Sequence, residues 1–217
     1  MRTTITLDET LERQRAALHA WRIQTKQTAA LVADEAWDSF ERELSALLAD
    51  GLIWDFADTT KTSLLMGMVT AFDDACEHWI SPRIRALHQT MQAAAGAAWG
   101  FDAAGSDLAS LRKSLRLHQH LTPRFDDWFS KARPGVFSVL SRALKNDVDY
   151  VIEHMEKDAR SDAERLRRIV CADRASITAE LAQAAAMVLQ RTAHELENAL
   201  LALELHRTGQ TAPAAAV

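Results

Sequence analysis

Two cysteines, Cys76 and Cys171, are all that this 217-residue chain contains. They lie far apart without CxxC spacing, so neither a disulfide framework nor a zinc knuckle is expected, and a reducing cytoplasm is the expected compartment. The stretch MRTTITLDETLERQ lacks the apolar core of a secretory signal. The longest strongly apolar run, LLMGMVTAF, is too short to span a bilayer. Catalytic signatures are missing as well. No GxxxxGK[ST] loop would cradle a phosphate, no HExxH or Glu-x-x-His pair would hold zinc or a di-iron centre, and no GxSxG elbow would carry a nucleophile. No cofactor is implied, and the reading leans away from an enzyme.

Glycine and proline are scarce and unevenly placed. Residues 1–50 and 136–208 contain neither, and apart from Gly209 and Pro213 all of them fall between Gly51 and Gly135. These residues end or kink helices, so the chain reads as two long uninterrupted segments flanking a broken middle. Nothing alternates with period two over a useful length, which excludes strands.

What is present is helical periodicity. In the last segment Val148, Ala159, Val170, Leu181, Thr192 and Leu203 are spaced by eleven, as are Met155, Leu166, Ile177, Val188 and Ala199. A third row, Ile152, Ala163, Arg174, Ala185 and Leu196, is apolar except at the arginine. Eleven residues in three turns keep an apolar stripe nearly straight. Unbroken, residues 136–207 would make a rod of roughly 100 Å at 1.5 Å per residue. Ser161 and Glu164 have the spacing of a capping box, so a break near 160 is the alternative, but the stripe passes through without a phase jump. In the first segment Leu7, Leu18, Ala29 and Phe40 share a row, widened by Trp21, Val32, Ala36 and Leu47. Asp8 and Glu9 suit its positive N-terminal end, and Gly51 suits its C-terminal cap.

The expected fold is all-α: an elongated helical bundle of one domain over residues 1–209. Its parts are a long helix over 6–50, a segmented, aromatic-rich helical region over 51–135, and a long helix over 136–207, with a flexible tail at 210–217. In the middle, helices are predicted over 59–79, from Ser81–Pro82 to about Ala95, and from Ser106 to near His120. Another starts at Thr122–Pro123.

The stretch LRLHQHLTPRFDDWF pairs two histidines with two aspartates and so suggests a metal site. His118 and His120 are two apart in the last predicted turn of one helix and point to nearly opposite sides. Asp126 and Asp127 fall in the first predicted turn of the next, where carboxylates are favoured. Capping accounts for all four, and no metal is expected. In CEHW, adjacent helical positions likewise diverge by about 100°.

Charge is distributed with a pattern. The net charge is −5, yet residues 81–135 carry eight Lys or Arg against four Asp, the one net-basic block. The middle also holds nine of the fourteen aromatic residues. Arginine outnumbers lysine 19 to 6 and alanine is abundant, a bacterial-like, GC-rich composition. The main expectation is a non-catalytic bundle acting through protein–protein interaction, as an adaptor, scaffold or assembly subunit. Its partner is another protein, including a second copy of itself in a homo-oligomer. The alternative is a membrane-surface module using region 96–133, with Trp99 and Phe101 on a loop beside Arg112, Lys113 and Arg116. A second alternative is a small-ligand binder or enzyme with a pocket in 51–135, near Glu77, His78 or His88. Nucleic acid is the weakest partner, because the basic residues are few and the long segments acidic.

Overall fold

The computed structural model describes residues 6–100, 115–133 and 148–208, and every regular element in them is a helix. In chain order these are α1 (Leu7–Leu47), α2 (Ala57–Trp79), α3 (Ser81–Ala95), α4 (Leu117–Ala132), α5 (Val148–Ala172) and α6 (Arg174–Arg207). Short 3-10 turns occupy Trp54–Phe56 and Gly96–Ala98. The chain is all-α, with long helices toward both ends and shorter ones between.

α1 begins with a reciprocal cap: the Glu9 N–H donates to Thr6 Oγ1 at 3.3 Å, and the Thr6 N–H donates to Glu9 Oε2 at 3.1 Å. It ends just before Gly51, which takes a left-handed φ of +98° as expected of a C-terminal cap and donates its N–H to the Leu48 carbonyl. The glycine is required twice over. A Cβ there would sit 2.9 Å from the carbonyl carbon of Ala159 in α5. The next residue, Leu52, donates its N–H to the Ala159 carbonyl at 2.8 Å.

α3 starts where Ser81–Pro82 predicts, although the Ser81 hydroxyl donates to Glu77 Oε2 rather than capping. The second proline signal reads differently. α4 starts at Leu117, not at Thr122, and runs straight through Pro123. Thr122 donates its hydroxyl to the His118 carbonyl instead of capping a new helix. An interior proline costs about 3 kcal/mol. Against that, Leu117, Leu121, Phe125, Trp128, Phe129 and Ala132 are buried along one continuous face. At about 1.5–3 kcal/mol for each large apolar side chain, burial outweighs the break. The true start is marked by Arg116, whose φ of 47° and ψ of 40° are left-handed. It is the one non-glycine residue with positive φ among the described residues.

The last long segment is broken at Asp173, not near 160; residues 136–147 of that expected helix, like the tail 210–217, lie outside the described residues. One turn residue separates α5 from α6, and the Ser176 and Ile177 N–H groups both donate to the Asp173 carbonyl. The apolar stripe continues across the interruption: Val170, Leu181, Thr192 and Leu203 are all buried, as are Leu166, Ile177 and Val188. Met155, in the same predicted row, is exposed.

Packing divides the chain into two compact units. The first draws on Met1–Val32, Ala75–Leu115 and Leu181–Val217, the second on Ala33–Asp74 and Arg116–Glu180. In the first unit α1 and α6 run antiparallel, joined by ion pairs between Asp8 and Arg207, Arg15 and Glu204, and Arg22 and Glu197. Its interior is mostly aliphatic, with Leu18, Ile80, Met91, Val188 and Leu196 buried.

The second unit is aromatic at its centre. Trp37 packs on Phe40, Phe40 meets Phe125 edge-on at 6.0 Å, and Phe125 lies 4.7 Å from Trp128. Directional polar contacts fasten it at the α5–α6 joint. Asp173 Oδ2 accepts from Trp128 Nε1 at 3.0 Å and from Arg124 Nη1 at 2.7 Å. Arg124 also reaches Ser176 and Glu180. The bond to Asp173 raises the guanidinium's pKa above its usual value, opposed by burial and aided by Glu180.

Candidate functional site

The sequence places its candidate contact residues in region 96–133. Trp99 is buried at 5% exposure, with its indole N–H donating to His88 Nδ1 at 3.2 Å, instead of standing at an exposed loop tip. Arg116 is exposed at the start of α4. Phe101, Arg112 and Lys113 lie outside the described residues, as does most of the helix expected from Ser106.

The histidines and aspartates of LRLHQHLTPRFDDWF do not cap helix ends as the sequence suggests. His118 and His120 are exposed in the first turn of α4, not the last turn of a preceding helix. Asp126 and Asp127 sit in the middle of α4, where Asp126 pairs with Lys61 at 2.8 Å and Asp127 with Lys131 at 2.6 Å. Among the described residues no three His, Cys, Asp or Glu side chains converge as metal ligands. In CEHW, Glu77 accepts from Ser81, and the His78 ring lies tilted against Trp79 at 5.1 Å. Among the described residues no helix is long and apolar enough to cross a membrane.

A different part of the middle carries the most distinctive surface. In the second unit the connector Leu48–Phe56 is fixed onto α5 at two points. One is the Gly51–Leu52 contact with Ala159. The other is Trp54, whose indole N–H donates to the buried carboxylate of Asp162 at 2.8 Å and whose ring meets Phe129 edge-on at 6.4 Å. A buried polar pair of this kind is satisfied only in one geometry, so it sets the connector's position. Ile53 and Phe56 flank Trp54 and stand outward, 54% and 62% exposed. Met155, one turn before Ala159 on α5, is 58% exposed.

Beside them lies a groove of about 270 Å³. Trp54 and Phe129 form its apolar wall, and Asp58, Lys61, Asp126 and Arg133 form its charged rim. Lys61 bridges Asp126 and, at 3.3 Å, Asp58. The Asp126 bond raises the ammonium's pKa, with burial opposing and Asp58 adding to it. Lys61 and these two carboxylates thus partly neutralise one another.

Sequence reasoning selected Trp99 and Phe101 and passed over Ile53, Phe56 and Met155. The available signal was LIWDF directly after the capping glycine, an apolar cluster too short to be a helix and placed where a polar turn is usual. Compared with known proteins, the chain matches no family model, no curated protein and no solved structure.

Proposed function

We propose that this chain is a non-catalytic helical module that works through protein–protein contact, as an adaptor, scaffold or assembly subunit, with the connector face of its second unit as the contact surface. The observation that supports this reading is the fixed presentation of Ile53 and Phe56. Two large apolar side chains are held in water by a connector bolted at Ala159 and Asp162. Leaving such side chains exposed forgoes about 1.5–3 kcal/mol each. Holding them on a fixed backbone lowers the entropy lost on association. The charged groove beside them supplies the polar rim that interfaces pair with an apolar centre.

The partner proposed is a second copy of the chain. Light scattering across the micromolar range tests this. The expected result is a dimer that reverts to the mass of one chain in Phe56→Glu, with circular dichroism and melting unchanged. A wild-type chain that stays monomeric throughout removes the assembly-subunit version. A dimer indifferent to Phe56→Glu removes this face.

A further inference from the structure

The first unit contains a groove with unmet polarity. α1 contributes Ala17, Ala20 and Trp21 to it, and α3 contributes Arg83, Ala86 and Leu87. On each helix these positions are three and four apart, so each set forms one stripe. Alanines on both helices keep the walls low, while the buried Trp21 and Leu87 make an apolar floor. The groove is open to solvent and holds about 440 Å³, within the range of small-molecule sites.

Two donors bordering this groove lack the partners that their burial calls for. Trp21 is 5% exposed, and its indole N–H has no acceptor. Buried polar groups are satisfied in the great majority of cases. Arg83 is half-buried and donates one N–H to the Thr28 hydroxyl at 3.1 Å, and no described carboxylate pairs with it. Arg15, Arg22, Arg124, Arg174 and Arg207 each reach a carboxylate, whereas Arg42, Arg85 and Arg168, like Arg83, donate to an uncharged oxygen; of these, Arg83 is the one that lines this groove. A guanidinium has five N–H donors in a fork that fits a carboxylate's two oxygens.

We propose that the α1–α3 groove binds a small apolar carboxylate, with Arg83 receiving the carboxylate and the Trp21–Leu87 floor receiving the apolar body. Such a ligand supplies the negative charge that Arg83 lacks and an apolar surface for the floor. The site lies in the first unit and does not depend on the contact surface proposed above.

Two probes, 4-phenylbutyrate and octanoate, test the assignment on the full-length, nitrogen-15-labelled protein. Tryptophan indole N–H signals are resolved from the backbone, and Trp21→Phe identifies the one that belongs to Trp21. The expected result is a saturable shift of the Trp21 indole signal with at least one acid. The neutral 4-phenylbutyramide should bind about tenfold more weakly than its acid, and Arg83→Gln should weaken the acid by a similar factor, the loss of one charge-assisted pair. If neither acid moves the Trp21 signal up to its solubility limit, the site is refuted. Equal binding of acid and amide refutes the role of Arg83. That wild-type comparison decides the matter even where Arg83→Gln fails to fold.

Discussion

The two units use the same helical chain to build different interiors. In the first, α1 and α6 meet through aliphatic side chains and a row of exposed ion pairs at Asp8, Arg15 and Arg22. In the second, tilted and edge-on aromatics are tied by buried or half-buried polar bonds, from Trp54 to Asp162 and from Arg124 and Trp128 to Asp173. The contrast separates two ways of fixing helices. Exposed ion pairs are weak and forgiving, each contributing about 0–1 kcal/mol. Aromatic packing with directional polar bonds is strong and intolerant of misplacement. It is the second unit, accordingly, that holds a connector rigid and a helix broken at a defined residue.

The largest effect should come from the aromatic centre. Trp128→Ala removes a fully buried ring and one of the donors to Asp173, and a loss of about 3–5 kcal/mol is expected in urea unfolding. A cost under 1 kcal/mol would contradict the account of this interior. A paired glycine experiment comes next. Gly51→Ala places a methyl group against α5 backbone at a left-handed φ and should cost about 2 kcal/mol or more. Gly67→Ala meets only the carboxylate end of Glu43, a side chain that can swing away. There the gain in helix propensity, about 1 kcal/mol, should leave stability unchanged or higher. Equal losses at both sites would show that the connector is not seated as described. The smallest effect belongs to the first unit. Removing the exposed pair with Arg22→Ala or Glu197→Ala should change stability by less than about 0.5 kcal/mol, and less still at high salt.

The same contrast explains what was legible in the sequence. The apolar rows located most of the buried faces of α1, α5 and α6, with Leu47 and Met155 exposed instead, because burial follows helical phase, and phase needs no knowledge of neighbours. Phase is not continuity, however. The stripe crosses Asp173 undisturbed while the helix stops there. What marks the stop is a set of bonds from Arg124 and Trp128, far away in sequence. Arg174, the arginine that interrupts the third row, was the local trace of that joint: it is exposed, pairs with Asp38 and lies over the Trp37 ring.

Local signals failed where tertiary packing overrode them. Thr122–Pro123 has the form of a helix start, yet α4's apolar face begins at Leu117 and carries the helix through the proline. Its real boundary, Arg116, has a backbone conformation that its residue type gives no reason to expect. The candidate contact surface was less legible still. Trp99 and Ile53 are both large apolar residues in short connectors. Which is covered depends on His88 in one case and on Asp162 and Ala159 in the other, contacts that spacing does not encode.

The seating of the connector on α5 joins two distant positions. Gly51 cannot acquire a side chain without colliding with Ala159, with its backbone as well as its Cβ. No substitution at 159 removes that backbone, so when related sequences are aligned, residue 51 should stay glycine whatever stands at 159.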